Sequence, residues 1–181
     1  MKTVIFTFGR FAPPTKAHIK LFQKIITLSK ESKSDYKIFL SQTYNRKTDP
    51  LKWKFKRQII KSCILKIHIS KDLRIKTPFN ALEELSKQGY KKVIMIVGSD
   101  RVEEFETRMN IYATKWGIEE FEVRTFGKRD SSAKGIAGIS SSKLRQFVVD
   151  NDKKKFFNDL PDQLDKKWKR KIFKKCKKNL I

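Results

Sequence analysis

Short uninterrupted apolar runs alternate along this chain with longer stretches in which apolar positions recur every three or four residues. Residues 3–8 (TVIFTF) are β-branched and aromatic, the composition of a strand buried on both faces, 93–97 (VIMIV) read as a second strongly buried strand, and 36–40 (YKIFL) is a further strand candidate. Residues 121–126 supply a further strand and 73–75 a weaker one. Between them, residues 17–29 set Ile19, Leu21, Phe22, Ile25, Ile26 and Leu28 toward one side of a helix. Residues 53–67 keep the same period, and 79–88 read as a helix that Gly89 stops. Ser99 or Asp100 is placed to cap a helix running through about Ala113, and ISSSKLR at 139–145 opens one that carries Leu144, Phe147 and Val148.

Strands that alternate with helices predict an α/β fold: a Rossmann-like open parallel sheet with helices on both faces and right-handed crossovers. Ligands of such sheets sit beyond the carboxyl ends of the strands, where the strand order reverses. The segments 9–18, 41–50, 98–101 and 127–142 each follow a strand, so all four are expected at that edge. Beyond residue 150 the pattern changes to a basic helical tail in which Phe156, Leu160, Leu164, Trp168 and Ile172 recur every four residues. The expected division is a domain over 1–150 and a helical extension, 151–181, packed on it. No apolar run reaches the length of a membrane span, and the start lacks the shape of a secretory signal, so a cytoplasmic protein without a membrane partner is expected.

Charge adds a second question. The chain holds 43 Lys and Arg against 19 Asp and Glu, a net charge of +24, which brings nucleic acid to mind as a partner. Most of the excess is lysine spread over every segment, a strongly hydrated charge without the bidentate fork that specific phosphate contacts favour. For most of the chain it reads as composition. The tail is the exception, with KKK, KKWKRK and KKCKK close together. Its every-four apolar pattern nevertheless favours packing over nucleic-acid contact. The two cysteines, Cys63 and Cys176, have no metal-ligand spacing around them.

The candidate chemistry lies in GRFAPPTKAH, Gly9 to His18, between the first strand and its helix. A helix start presents unpaired N–H groups and a partial positive charge, a ready phosphate site. Gly9 lets the backbone approach a ligand, Pro13 and Pro14 set the turn, and Thr15 and His18 face one side and donate hydrogen bonds. Gly9, Phe11, Pro13, Thr15 and His18 match the G-x-F-x-P-x-[HT]-x-G-H signature of the nucleotidyltransferase superfamily, with Ala17 where glycine is common. Ile139, Ser140, Ser141, Ser142 and Arg145 match its second signature, I-S-S-T-x-x-R, with serine for threonine. The chain therefore resembles that superfamily over roughly residues 1–150. Arg10, in the string GRF, brings it nearest to nicotinamide mononucleotide adenylyltransferases, while Thr15 in place of a first histidine is closer to the phosphopantetheine and some viral-type enzymes.

The resemblance implies transfer of a nucleotidyl group from ATP or CTP to a small phosphorylated acceptor, with pyrophosphate released and Mg2+ carried on the triphosphate. Nicotinamide mononucleotide is the first acceptor it suggests; phosphopantetheine, the choice of ATP over CTP and the oligomeric state stay open. Thr15, His18 and Arg145 would be the catalytic residues. Gly9, Arg10, Phe11, Gly98, Asp100, Arg129, Ser140, Ser141 and Ser142 would contact the nucleotide, with no protein metal ligand required. A viral-type member would work in the host cytoplasm. The loop 44–53, with Asp49-Pro50-Leu51, looks like the NPF or NPL loop of the family. The rival class is a non-catalytic nucleic-acid-binding protein that uses the basic tail, a reading at odds with retention of Thr15, His18 and Arg145.

Overall fold

The computed structural model describes residues 1–127 and 135–181. Its strands are β1 (Thr3–Gly9), β2 (Asp35–Leu40), β3 (Lys92–Ile96) and β4 (Glu120–Arg124), in one sheet of order β2-β1-β3-β4. β1 pairs parallel with β3, and β3 with β4. The helices are α1 (Lys16–Glu31), α2 (Trp53–Cys63), α3 (Pro78–Lys87), α4 (Val102–Lys115), α5 (Ser141–Val149), α6 (Lys153–Asp159) and α7 (Lys166–Leu180). The chain leaves β1 to one side for β2 and reaches the other side for β3. α3 and α4 pack together on one face of this sheet. This is the expected Rossmann-like α/β sheet. Among the described residues no helix is long and apolar enough to cross a membrane.

Two compact units make up the chain. The first comprises Met1–Gly9, Phe22–Phe39 and the described part of His68–Arg129. Val4 and Phe6 of β1, Val93 and Met95 of β3 and Val123 of β4 pack with Leu82 and Leu85 of α3 and Phe105 and Met109 of α4. Ile5, Ile94 and Ile96 alternate to the opposite face and are also buried, which is why β1 and β3 show no polar alternation, whereas the edge strand β4 does. Thr77 starts α3 by accepting the Asn80 N–H at 3.1 Å, with Pro78 in its first turn.

Local expectations fail at three places in the chain. Residues 73–75 are not a strand: Asp72 accepts the Arg74 N–H at 2.9 Å in a tight turn, and the outer edge beside β2 is a single parallel bridge, Ile38 to Ile69. A 3-10 turn, Ser99–Arg101, precedes α4, whose N-cap is Arg101 rather than Ser99 or Asp100. α2, in the second unit, stops at Cys63 instead of reaching residue 67, because Ile64 is extended and Lys66 takes a positive φ of 62°.

The second unit comprises Arg10–Leu21, Leu40–Ile67 and the described part of Asp130–Ile181. Its core joins Leu51, Phe55 and Ile59 to Leu144 and Val148 of α5 and to Phe156, Leu160, Leu164, Ile172, Phe173 and Cys176 of the tail. The tail is two helices rather than one. Leu160 is extended ahead of Pro161, as the proline ring requires, and Asp152 and Asp165 cap α6 and α7. Burial pushes the thiols of Cys63 and Cys176 up to about 12, so both remain protonated near neutral pH.

Deleting residues 153–181 should therefore abolish cooperative folding of the second unit. Each large apolar side chain contributes about 1.5–3 kcal/mol on burial, and the loss of five, Phe156, Leu160, Leu164, Ile172 and Phe173, rivals the ~5–15 kcal/mol that holds a domain together. Thermal melting of the truncated chain checks this; an unchanged transition would refute it.

Candidate functional site

Thr15 and His18 cap the start of α1 together. The Thr15 carbonyl accepts the Ile19 N–H at 3.1 Å, and its hydroxyl oxygen accepts the His18 N–H at 3.2 Å. In return the Thr15 backbone N–H donates to Nδ1 of His18 at 3.1 Å. The pairing is a capping box with histidine in the place usually held by Glu or Gln. A backbone N–H only donates, so Nδ1 must accept, and the neutral ring carries its proton on Nε2. His18 is thereby made a hydrogen-bond donor at its outer nitrogen. Phe11 meets the imidazole edge-on, with centroids 4.9 Å apart and planes at 81°. Phe11 is buried and has a φ of 46°, a left-handed conformation that a bulky side chain adopts only when its surroundings impose it.

The second motif docks on the first. Ser140 caps α5, its hydroxyl oxygen accepting the Lys143 N–H at 3.2 Å. Ser141 donates its hydroxyl to the Pro13 carbonyl at 2.9 Å. Arg145 donates from one terminal nitrogen to the Ala12 carbonyl at 2.9 Å and from the other to the Ser142 hydroxyl at 3.0 Å. The expected phosphate ligands Ser140 and Ser141 thus hold backbone in this structure, and Arg145 commits one of its five N–H donors to backbone and a second to the Ser142 side chain. Burial lowers the Arg145 pKa and neighbouring Arg10 acts in the same direction, while Asp49 opposes them. The group stays a cation at neutral pH.

A buried ion pair that the motifs did not reveal lies in the same unit. Lys56 of α2 donates to both carboxylate oxygens of Asp49 at 2.9 Å and to the Ser41 carbonyl at 2.8 Å, and both side chains are fully buried. Thr43 adds a hydroxyl to Asp49 at 2.6 Å. Burial raises the Asp49 pKa and lowers that of Lys56, while their mutual attraction opposes both shifts. Three short charge-assisted bonds hold the pair ionised. Arg10 is close enough to lower the pKa of each. Lys56 shares the buried stripe of α2 with Phe55, Ile59 and Ile60, so its helical phase was the signal that marked it.

Arg10, Phe11, Thr15, His18, Ser140, Ser141, Ser142 and Arg145 therefore belong to one unit, where three cations, Arg10, Lys56 and Arg145, share the neighbourhood of one carboxylate, Asp49. Gly9, Gly98 and Asp100 belong to the other. Gly9 ends β1, and the register that pairs Phe6 with Met95 sets it level with Gly98 past the end of β3. Asp100 is exposed in the 3-10 turn. Arg129 lies outside the described residues. The donors around the first motif are N–H and O–H groups, and both Asp49 oxygens already accept from Lys56 while one also accepts from Thr43. The set suits phosphate oxygens, and a Mg2+ that arrives on a triphosphate, more than a metal held by protein oxygen.

No family model matches the chain, and no curated protein matches it in sequence. Solved structures do resemble it. A Thermotoga maritima protein, TmcAL, in a crystal structure with alpha-thio ATP bound, gives a TM-score of 0.57 at 12% identity, over 97% of this chain and 55% of that one. A bifunctional NMN adenylyltransferase/ADP ribose pyrophosphatase from Francisella tularensis, complexed with AMP and a manganese ion, gives 0.45 at 18% identity, over 81% and 42%. The chain spans about half the length of these structures. The likeness to the first shows that the Rossmann-like α/β fold is shared.

Proposed function

We propose that the chain is a nucleotidyltransferase that moves AMP from ATP to a small phosphorylated acceptor, with nicotinamide mononucleotide the first candidate. The observation that carries the reading is the meeting of the two motifs: Ser141 and Arg145 bind the carbonyls of Pro13 and Ala12, immediately ahead of the Thr15–His18 cap. The shared fold with a protein crystallised with an ATP analogue supports a nucleotide as the ligand.

In this reaction an acceptor phosphate oxygen attacks the α-phosphorus in line, a new P–O bond forms, and the bond to the β-phosphate oxygen breaks. Pyrophosphate leaves with the electron pair. Such chemistry asks the protein mainly for position and charge. The Thr15–His18 cap leaves the N–H groups of Lys16 and Ala17 without intrahelical acceptors, aimed out of the helix start. Nε2–H of His18 donates to the phosphoryl oxygen that gains charge, and the remaining donors of Arg145 hold the β- and γ-phosphates. Mg2+ carried on the triphosphate would neutralise part of the leaving group's charge.

The test is pyrophosphate release with Mg2+, ATP or CTP and a panel of acceptors: nicotinamide mononucleotide, phosphopantetheine, flavin mononucleotide and glycerol phosphate. Release with nicotinamide mononucleotide and ATP is expected; no release with any pair would overturn the reading. Arg145→Lys should lower turnover at least about tenfold, roughly 1.4 kcal/mol of transition-state stabilisation. One ammonium cannot span Ala12 and Ser142 and still reach phosphate. Equal turnover would remove Arg145 from the site.

A further inference from the structure

α7 carries nine lysines and arginines and no acidic residue among its 15 positions. One side of it is spent on the core, with Ile172, Phe173 and Cys176 buried, and the opposite side is exposed lysine. Toward its end this charge is gathered into a groove. Lys171, Lys175 and Lys178 from α7 face Lys52 and Lys54 from the start of α2 across a space of about 480 Å³, with no acidic residue in its lining. Tyr44 and Asn179 fix the walls: the Tyr44 hydroxyl donates to Asn179 Oδ1 at 3.1 Å, and Asn179 Nδ2 donates to the Pro50 carbonyl at 2.8 Å.

Two ammonium groups are held over a single ring, Lys171 at 5.6 Å and Lys175 at 4.9 Å from the centroid of Phe55. Among the described residues none of the five groove lysines makes an ion pair. Elsewhere lysines and arginines find partners, as in Lys87 with Glu83, Lys92 with Glu120 and Glu122, and Arg108 with Glu104. Like charges crowded without a counter-charge repel, and an anion with repeated charges relieves that repulsion. Lys171, Lys175 and Lys178 stand at i, i+4 and i+7, so about 6 and 4.5 Å of helix rise separate them. That step is comparable with the spacing of successive phosphates along one strand.

We propose that this groove binds the phosphate backbone of a single-stranded nucleic acid, in addition to the nucleotide chemistry of the first motif. An anionic membrane is the poorer fit, because the large apolar side chains of α7 are buried or, as with Trp168 and Leu180, packed half-buried against the core, and none stands exposed to insert between lipids. Recognition is of charge and strand width. The lysines act as point charges without the planar fork of arginine and meet the backbone rather than base edges, so binding is independent of sequence.

The test compares two triple variants of the full chain with equal change in net charge. One is Lys171→Gln, Lys175→Gln and Lys178→Gln; the other is Lys20→Gln, Lys24→Gln and Lys30→Gln on the exposed side of α1. Affinity for a labelled single-stranded oligonucleotide is followed by fluorescence anisotropy over a salt series, with melting curves to establish that both variants fold. The groove variant should bind at least about tenfold more weakly. Its salt slope should be shallower by about 2, since each phosphate contact on a single strand contributes about 0.7. The α1 variant should change affinity less than threefold. Equal losses in both variants would overturn the groove as the site. So would unchanged oligonucleotide binding with loss of binding to phosphatidylserine vesicles, which would assign the surface to lipid.

Discussion

Replacing His18 by asparagine should leave the chain folded and lower nucleotidyl transfer by about 10² to 10³, the loss typical of removing one donor from a developing negative charge. Nδ1 of this side chain accepts the Thr15 N–H and so closes the cap, and the proposed reaction would give Nε2–H a second duty as donor to phosphate. Asparagine retains an acceptor close to the Nδ1 position and lacks the reach of Nε2, so it separates the cap from the chemistry. His18→Ala removes both and should also lose about 1 kcal/mol of stability. Steady-state pyrophosphate release and thermal melting on both variants check this. The asparagine form should melt close to the parent and the alanine form below it, both with low turnover. Near-parental turnover in a folded asparagine variant would take His18 out of the reaction.

Lys56→Met should be the most damaging single substitution for stability, at about 3–5 kcal/mol, because it leaves the Asp49 carboxylate buried without its ammonium. The Ser41 carbonyl loses its donor in the same step. Combining Lys56→Met with Asp49→Leu should recover much of the loss, since removing both charges also removes their desolvation cost. The pH dependence has a definite sign. Burial already raises Asp49 above its ordinary value, and loss of Lys56 raises it further. A carboxyl that is harder to ionise folded than unfolded imposes a penalty that grows as pH rises above the unfolded pKa. The deficit of Lys56→Met should therefore shrink as pH falls toward 4. Urea unfolding at several pH values measures it. A pH-independent deficit would mean that packing, not the stranded charge, sets the cost.

The alternation of strands and helices was readable from local pattern because burial imposes it residue by residue: a strand covered on both faces tolerates no charge, and a helix must turn its apolar side inward every 3.6 residues. Thr3–Gly9 and Lys92–Ile96 followed the apolar runs closely for that reason. The turn after β1 was legible too, since glycine, proline and a capping threonine act on their immediate neighbours. Local pattern misled where two rules competed. The every-four spacing of the tail suggested one helix, yet Pro161 broke it, and Phe156 and Ile172 remained in one core although they lie on different helices.

What only the tertiary structure decided are the contacts between segments far apart in sequence. Ser141 meets Pro13 across 128 residues, and Arg145 meets Ala12 across 133. No periodicity encodes such a pairing, because hydroxyls and guanidinium groups take whichever carbonyl the fold brings to them. Lys56 read as one lysine among many. Its stripe position hinted at burial, but its partner, Asp49, lies in a loop whose path is set by packing rather than by propensity. The excess charge divides the same way. Composition determined that the chain is strongly basic, and the folding of α7 against the core, with α2 opposite, decided which lysines stand together without an acid between them, since burial of one helix side forces the charges to the other.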